Sequence, residues 1–209
     1  MTTPVATGPA ATGPAPRWLT RRTAAWCGLV GPTVFVAGWT LNGLRTDGYD
    51  PLTEAISQLA RNGSATQLSM TACFLTFGVL MPLWAPTLAR ELGTPSLRPV
   101  VTVAGLATAA VAALPLTRDA GGTQDLLHGL AAGTGYVAMA LTGLVAAPAL
   151  HRRGWTAAAA ASVAVSVVAA SSLVATLFVD GAGGLQRLGL TVVDAWHVAV
   201  AAWVLRRRP

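Results

Sequence analysis

Six apolar runs divide this chain, and the charged residues collect in the segments between them. A helix that crosses a bilayer needs about 20 mostly apolar residues. On that rule the pattern predicts helices over roughly 23–44, 68–89, 99–116, 126–150, 155–179 and 185–205. The third run is the shortest and the fifth the richest in alanine. The expected fold class is all-α: a polytopic membrane protein in which residues 17–209 form a six-transmembrane-helix bundle. Residues 1–16, MTTPVATGPAATGPAP, hold too little apolar surface to fold and predict a disordered cytoplasmic tail.

The segment between the first two runs has a pattern of its own. In YDPLTEAISQLARNG, Asp50 is a good N-cap, Pro51 suits the first helical position and Gly63 is a natural stop. Leu52, Ile56 and Leu59 recur at i, i+4 and i+7 and make one apolar stripe. The expectation is a short amphipathic helix in the first outer loop. It either rests on the membrane surface or closes a cavity as a lid.

Composition fits the membrane class. The chain is 53% hydrophobic and 11% charged, with mean hydropathy +0.56; soluble domains carry about 25% charged residues. The basic excess does not point to nucleic acid, because the arginines sit at the ends of apolar runs and form no stripe with interleaved aromatics. All basic charge is arginine, a usage that with the abundant Ala and Gly suggests a GC-rich bacterial source. Cys27 and Cys73 lie in apolar runs without metal or redox spacing.

Charge also sets the orientation. With the N-terminus in the cytoplasm, ten arginines fall inside (Arg17, Arg21, Arg22, Arg90, Arg98, Arg152, Arg153, Arg206, Arg207, Arg208) and four outside (Arg45, Arg61, Arg118, Arg187). This predicts a multi-pass plasma-membrane protein with both termini cytoplasmic. Trp26, Trp39, Trp84 and Trp155 fall near the predicted interfaces and read as anchors. Gly129-x-x-x-Gly133 reads as a close helix contact.

Several motifs together resemble a known family. YDPLTEAISQLARNGS is similar to an aromatic/Pro element followed by I-S-E-L-G, found after the first span of the bacterial integral-membrane family catalogued as domain of unknown function 998. LPLTRD, from Leu114 to Asp119, resembles that family's F-P-x-x-D element, and DLLHGLAAGTGY its His-bearing fourth span. Gln58 and Leu114 depart from the family's usual Glu and Phe. The resemblance covers about 24–206 and implies a six-helix membrane protein with no established activity.

The candidate chemistry lies in two pairs. Asp125-Leu-Leu-His128 opens the fourth run, and Asp194-Ala-Trp-His197 sits inside the sixth. Residues at i and i+3 share a helix face, so each pair can point into the bundle. Ionisable residues at membrane depth usually face an interior or a wet cavity. Such groups can ligate a metal, act as an acid–base pair, or bind a proton or polar head group. The bland alternative is a hydrogen bond that locks the fourth and sixth helices together. The candidate ligand-binding set is Asp125, His128, Asp194 and His197, with Glu54 from the lid. Membrane lipid and a lipid-like or small polar ligand are the expected partners. The alternative is a membrane-embedded enzyme acting on a lipid-like substrate. Neither a phosphate loop, nor H-E-x-x-H, nor G-x-S-x-G is present, and the pattern specifies no cofactor.

Overall fold

The computed structural model describes residues 19–207; the predicted N-terminal tail lies outside them. Six α-helices follow one another: α1 Arg21–Leu44, α2 Gln67–Leu92, α3 Leu97–Ala113, α4 Thr123–Arg152, α5 Thr156–Ala175 and α6 Gly183–Arg206. There is no strand among the described residues. Five helices are long and apolar enough to cross a membrane, and α3, at 17 residues, is shorter. The expected boundaries hold to within a few residues. The third helix is displaced towards the N-terminus: it begins at Leu97 and ends at Ala113, just before Leu114 and Pro115.

The helices run up and down in chain order, and α6 returns to pack on both α1 and α5. Arg21 at the start of α1 and Arg207 after α6 both reach Glu91 at the end of α2, with N–O distances of 2.7 and 4.0 Å. That end of the bundle, termed inner here, therefore carries both helical termini. The opposite, outer end carries the segment from Arg45 to Thr66. α3 traverses the whole bundle: its N-terminal turn is at the inner end, while Leu116 beyond its C-terminus accepts a hydrogen bond from the Asn62 amide in the outer loop.

Close contacts explain the small residues. Gly28 of α1 leaves room for Trp84 of α2, whose ring would lie 2.6 Å from a Cβ at that position. Trp84 is thus fully buried and is not an interfacial anchor, which corrects the sequence expectation. Trp26 and Trp155 are exposed as expected of anchors. Polar glue is present too: Ser69 of α2 donates to the side-chain oxygen of buried Asn42 in α1 at 2.7 Å.

The glycines of α4 divide differently from expectation. Gly143 packs against the Ser162 carbonyl of α5, whereas Gly129 and Gly133 face open space. Among the described residues a side chain at either glycine of the G-x-x-x-G pair would meet nothing, and both glycines line a groove beside α3. Gly143→Ala is expected to destabilise the bundle by about 1–3 kcal/mol through overpacking, while Gly129→Ala leaves it unchanged or slightly firmer. Thermal unfolding midpoints of the two purified variants check the contrast.

Candidate functional site

The outer segment does not form one amphipathic helix. Asp50 begins a single turn: its carbonyl accepts from the Glu54 amide at 2.8 Å, and its carboxylate accepts from the Leu52 amide and the Thr53 hydroxyl at 2.9 and 2.8 Å. Those bonds hold the Asp50 carboxyl below its ordinary range. Ala55 then turns extended, and Ile56–Ala60 form a 3-10 helix. Ile56 and Leu59 are buried, but Leu52 is 69% exposed, so the expected three-residue stripe is broken.

Helix α6 is the reason. Its first turns take up the backbone groups that a continuing helix would have used internally. The Gly184 amide donates to Leu52 O at 2.8 Å, and Gln186 Oε1 accepts from the Ile56 amide at 2.8 Å. Arg187 Nη1 donates to the carbonyls of Pro51, Glu54 and Gly183 at 2.7, 2.8 and 3.0 Å. Its Nη2 donates to the Tyr49 hydroxyl. The guanidinium also lies 5.2 Å from the Trp39 ring and 5.5 Å from the Tyr49 ring. Burial pushes the Tyr49 phenol up, outweighing the downward pull of Arg187. Arg187, counted from sequence as an external loop charge, is a buried latch that holds the outer segment on α6.

Beneath this segment lies a cavity of about 60 Å³, room for a few water molecules. Ile56 and Ser57 form part of its wall from the outer segment. Phe35 of α1, Phe74 and Phe77 of α2, and Thr108 of α3 continue it. His128, Tyr136 and Met139 of α4 and Gln186 and Leu190 of α6 complete it. The enclosure is apolar with a few polar tips, the usual make-up of a ligand site.

His128 brings an imidazole to this wall. Its Nδ1 pairs with the Leu114 carbonyl at 2.6 Å, made accessible because the chain leaves the helix there. Its Nε2 is buried and meets no protein partner. Asp125 does not bond to it. The Asp125 carboxylate instead accepts from the Thr117 amide and hydroxyl and the Gly121 amide, at 2.8, 2.9 and 2.8 Å, and ties down the loop between α3 and α4. Glu54 Oε1 accepts from the Asp50 amide at 3.0 Å, and Glu54 does not line the cavity.

Asp194 and His197 lie deeper. Leu190 is on the cavity wall, and Asp194 is one turn further along α6 on the same face, with His197 a turn beyond. Neither lines the cavity. Both side chains are fully buried, and neither carboxylate oxygen nor either ring nitrogen meets a protein hydrogen-bond partner. The Trp196 ring stands edge-on to the His197 ring at 5.2 Å and donates its Nε1–H to Ser162 Oγ at 2.9 Å. The four residues of the two pairs are thus not hydrogen-bonded to one another. Among the described residues, no three of His, Cys, Asp and Glu gather in a cluster that could hold a metal ion.

Sequence reading missed Ser57, Tyr136, Gln186 and Arg187. Arg187 alone carried a signal: it precedes Asp194 by seven residues and so shares its helix face.

A helical bundle of membrane-spanning length with ionisable groups buried on inward faces defines a multi-pass membrane protein. The family described as protein of unknown function (DUF998) matches residues 29–203, and the chain belongs to it. No curated protein and no solved structure matches the chain.

Proposed function

We infer that this is a six-span plasma-membrane protein, both termini cytoplasmic, that binds a lipid-like or small polar ligand in an outward-facing cavity, in transport or sensing. The observation that carries the reading is the unpartnered Nε2 of His128 on the wall of a cavity under the latched outer segment. A buried polar atom without a partner costs about 1–3 kcal/mol, and a ligand that bonds to it recovers that cost. Crossing by α3 is supported by its passage from one end of the bundle to the other and by its 17 residues, which span about 26 Å. Orientation rests on the distribution of arginine.

A lipid-like ligand is favoured over a free solute by a groove that adjoins the cavity. A groove of about 200 Å³ between the outer parts of α4, α5 and α6 shares Ala132, Tyr136 and Gln186 with the cavity wall. A single polar group of a lipid, small enough for the cavity, would bond His128 while the rest of the lipid lies in this seam. The test uses the full-length protein in nanodiscs with a photoactivatable, clickable phosphatidylethanolamine. Mass spectrometry is expected to find label on Phe74, Phe77 or Met139. Thr176→Trp, on the groove wall and off the cavity wall, fills the groove and is expected to reduce that label at least fivefold. Label confined to outward-facing Leu130 and Val137 would overturn the reading.

A further inference from the structure

We propose that the inner-end groove between α2 and α3, flanked by Arg90 and Arg98, binds the phosphate group of an anionic membrane phospholipid. The groove encloses about 380 Å³ and is walled by Pro86, Ala89, Gly93 and Pro95 in addition to the two arginines. Gly93, at φ +66°, lets the chain fold back from α2 to α3.

Several inner-end arginines (Arg22, Arg90, Arg98, Arg152 and Arg206) are exposed, and of these Arg90 and Arg98 alone line the groove. Glu91 is the only acidic residue at this end, and it is occupied. Arg21 grips it with two hydrogen bonds of 2.7 and 3.2 Å, and Arg207 approaches to 4.0 Å. Arg153 is held by the Glu91 carbonyl at 2.6 Å. Arg90 has only the Thr87 hydroxyl, at 3.1 Å, and the Arg98 side chain makes no hydrogen bond among the described residues. Both are exposed. Two uncompensated guanidinium forks thus flank a groove whose other walls are apolar.

The adjoining helix ends do not supply this field. The carbonyl end of α2 and the amide end of α3 meet at the same turn, so their dipoles oppose each other. The positive potential belongs to the arginines. A guanidinium matches a phosphate geometrically through paired N–H donors. Pro86 and Ala89 extend the wall along α2 towards the membrane interior, where the glycerol and acyl portion of a phospholipid would lie. Basic pockets between spanning helices bind anionic head groups in this way.

Native mass spectrometry tests the site, with full-length protein released from nanodiscs of equal phosphatidylglycerol and phosphatidylcholine. The native chain is expected to retain phosphatidylglycerol in preference. The Arg90→Gln/Arg98→Gln pair is expected to lower the phosphatidylglycerol-bound fraction at least fivefold. The control pair Arg22→Gln/Arg152→Gln, exposed at the same end but outside the groove, should lower it less than twofold. Arg90→Lys/Arg98→Lys should keep part of the binding, as point charges without the fork. Thermal unfolding in detergent verifies that each variant is folded. Equal loss in the control pair, or full retention in the Gln pair, would overturn the proposal. So would displacement of the lipid by millimolar inorganic phosphate that itself binds in its place, because the site would then be one for free phosphate.

Discussion

Arg187→Gln is expected to release the outer segment while leaving the six helices in place. The guanidinium holds three carbonyls and a phenol at once. Hydrogen bonds from a charged donor contribute about 1.5–3 kcal/mol each, and bonds that share one group do not add fully. A total near 3 kcal/mol is a reasonable scale for the loss. Glutamine retains two donors but cannot span Pro51, Glu54, Gly183 and Tyr49 together. The loss should be local, because the bonds that join the segment to α6 are distinct from the α1–α2 and α4–α5 packing. Cysteine labelling is the measurement. Single cysteines at Ile56 and Leu59, buried in the native chain, should react at least tenfold faster in the Arg187→Gln background. A cysteine at Leu52, already exposed, should change little. Unchanged protection at Ile56 and Leu59 would mean that the latch does not hold the lid.

How much of this was legible in the sequence differs by kind of interaction. The helices were legible because their signal is local: an unbroken apolar run has few other folds open to it in a membrane. Asp50 and Pro51 correctly marked a helical turn, yet the turn stops after Glu54. What ends it is distant in sequence, the Gln186 and Arg187 side chains and the Gly184 amide. On the segment's side the bonded groups are backbone carbonyls and the Ile56 amide, which carry no residue-type signature, so nothing in the string YDPLTEAISQ announces them. The same blindness applies to Asp125. Its spacing to His128 was visible, but its three donors in the Thr117–Gly121 loop were not. Burial of Asp194 and His197 was legible from their place in an apolar run. Their lack of protein partners was not, because a pattern reveals which face is buried but not what meets it.

That lack of partners makes stability the decisive measurement for the deep pair. If Asp194 and His197 locked helices together, removing either would break a bond and destabilise the fold. No such bond is present for either side chain. Replacing an unsatisfied buried polar group by an apolar one of similar size removes a desolvation cost without losing a contact. Asp194→Val and His197→Leu are therefore each expected to stabilise the bundle by about 1–2 kcal/mol, seen as a higher unfolding midpoint in detergent. The same variants should lower ligand capture in the cavity, which neither side chain lines but whose wall residue Leu190 lies one turn from Asp194 on the same face of α6. A gain in stability with a loss of binding is the signature of a group retained for function at the expense of the fold. The bland alternative gives the opposite sign: both variants would melt earlier, and the double variant would lose no more than the larger single loss. Higher midpoints with undiminished label on Phe74, Phe77 and Met139 would separate the pair from the cavity and confine the ligand site to His128.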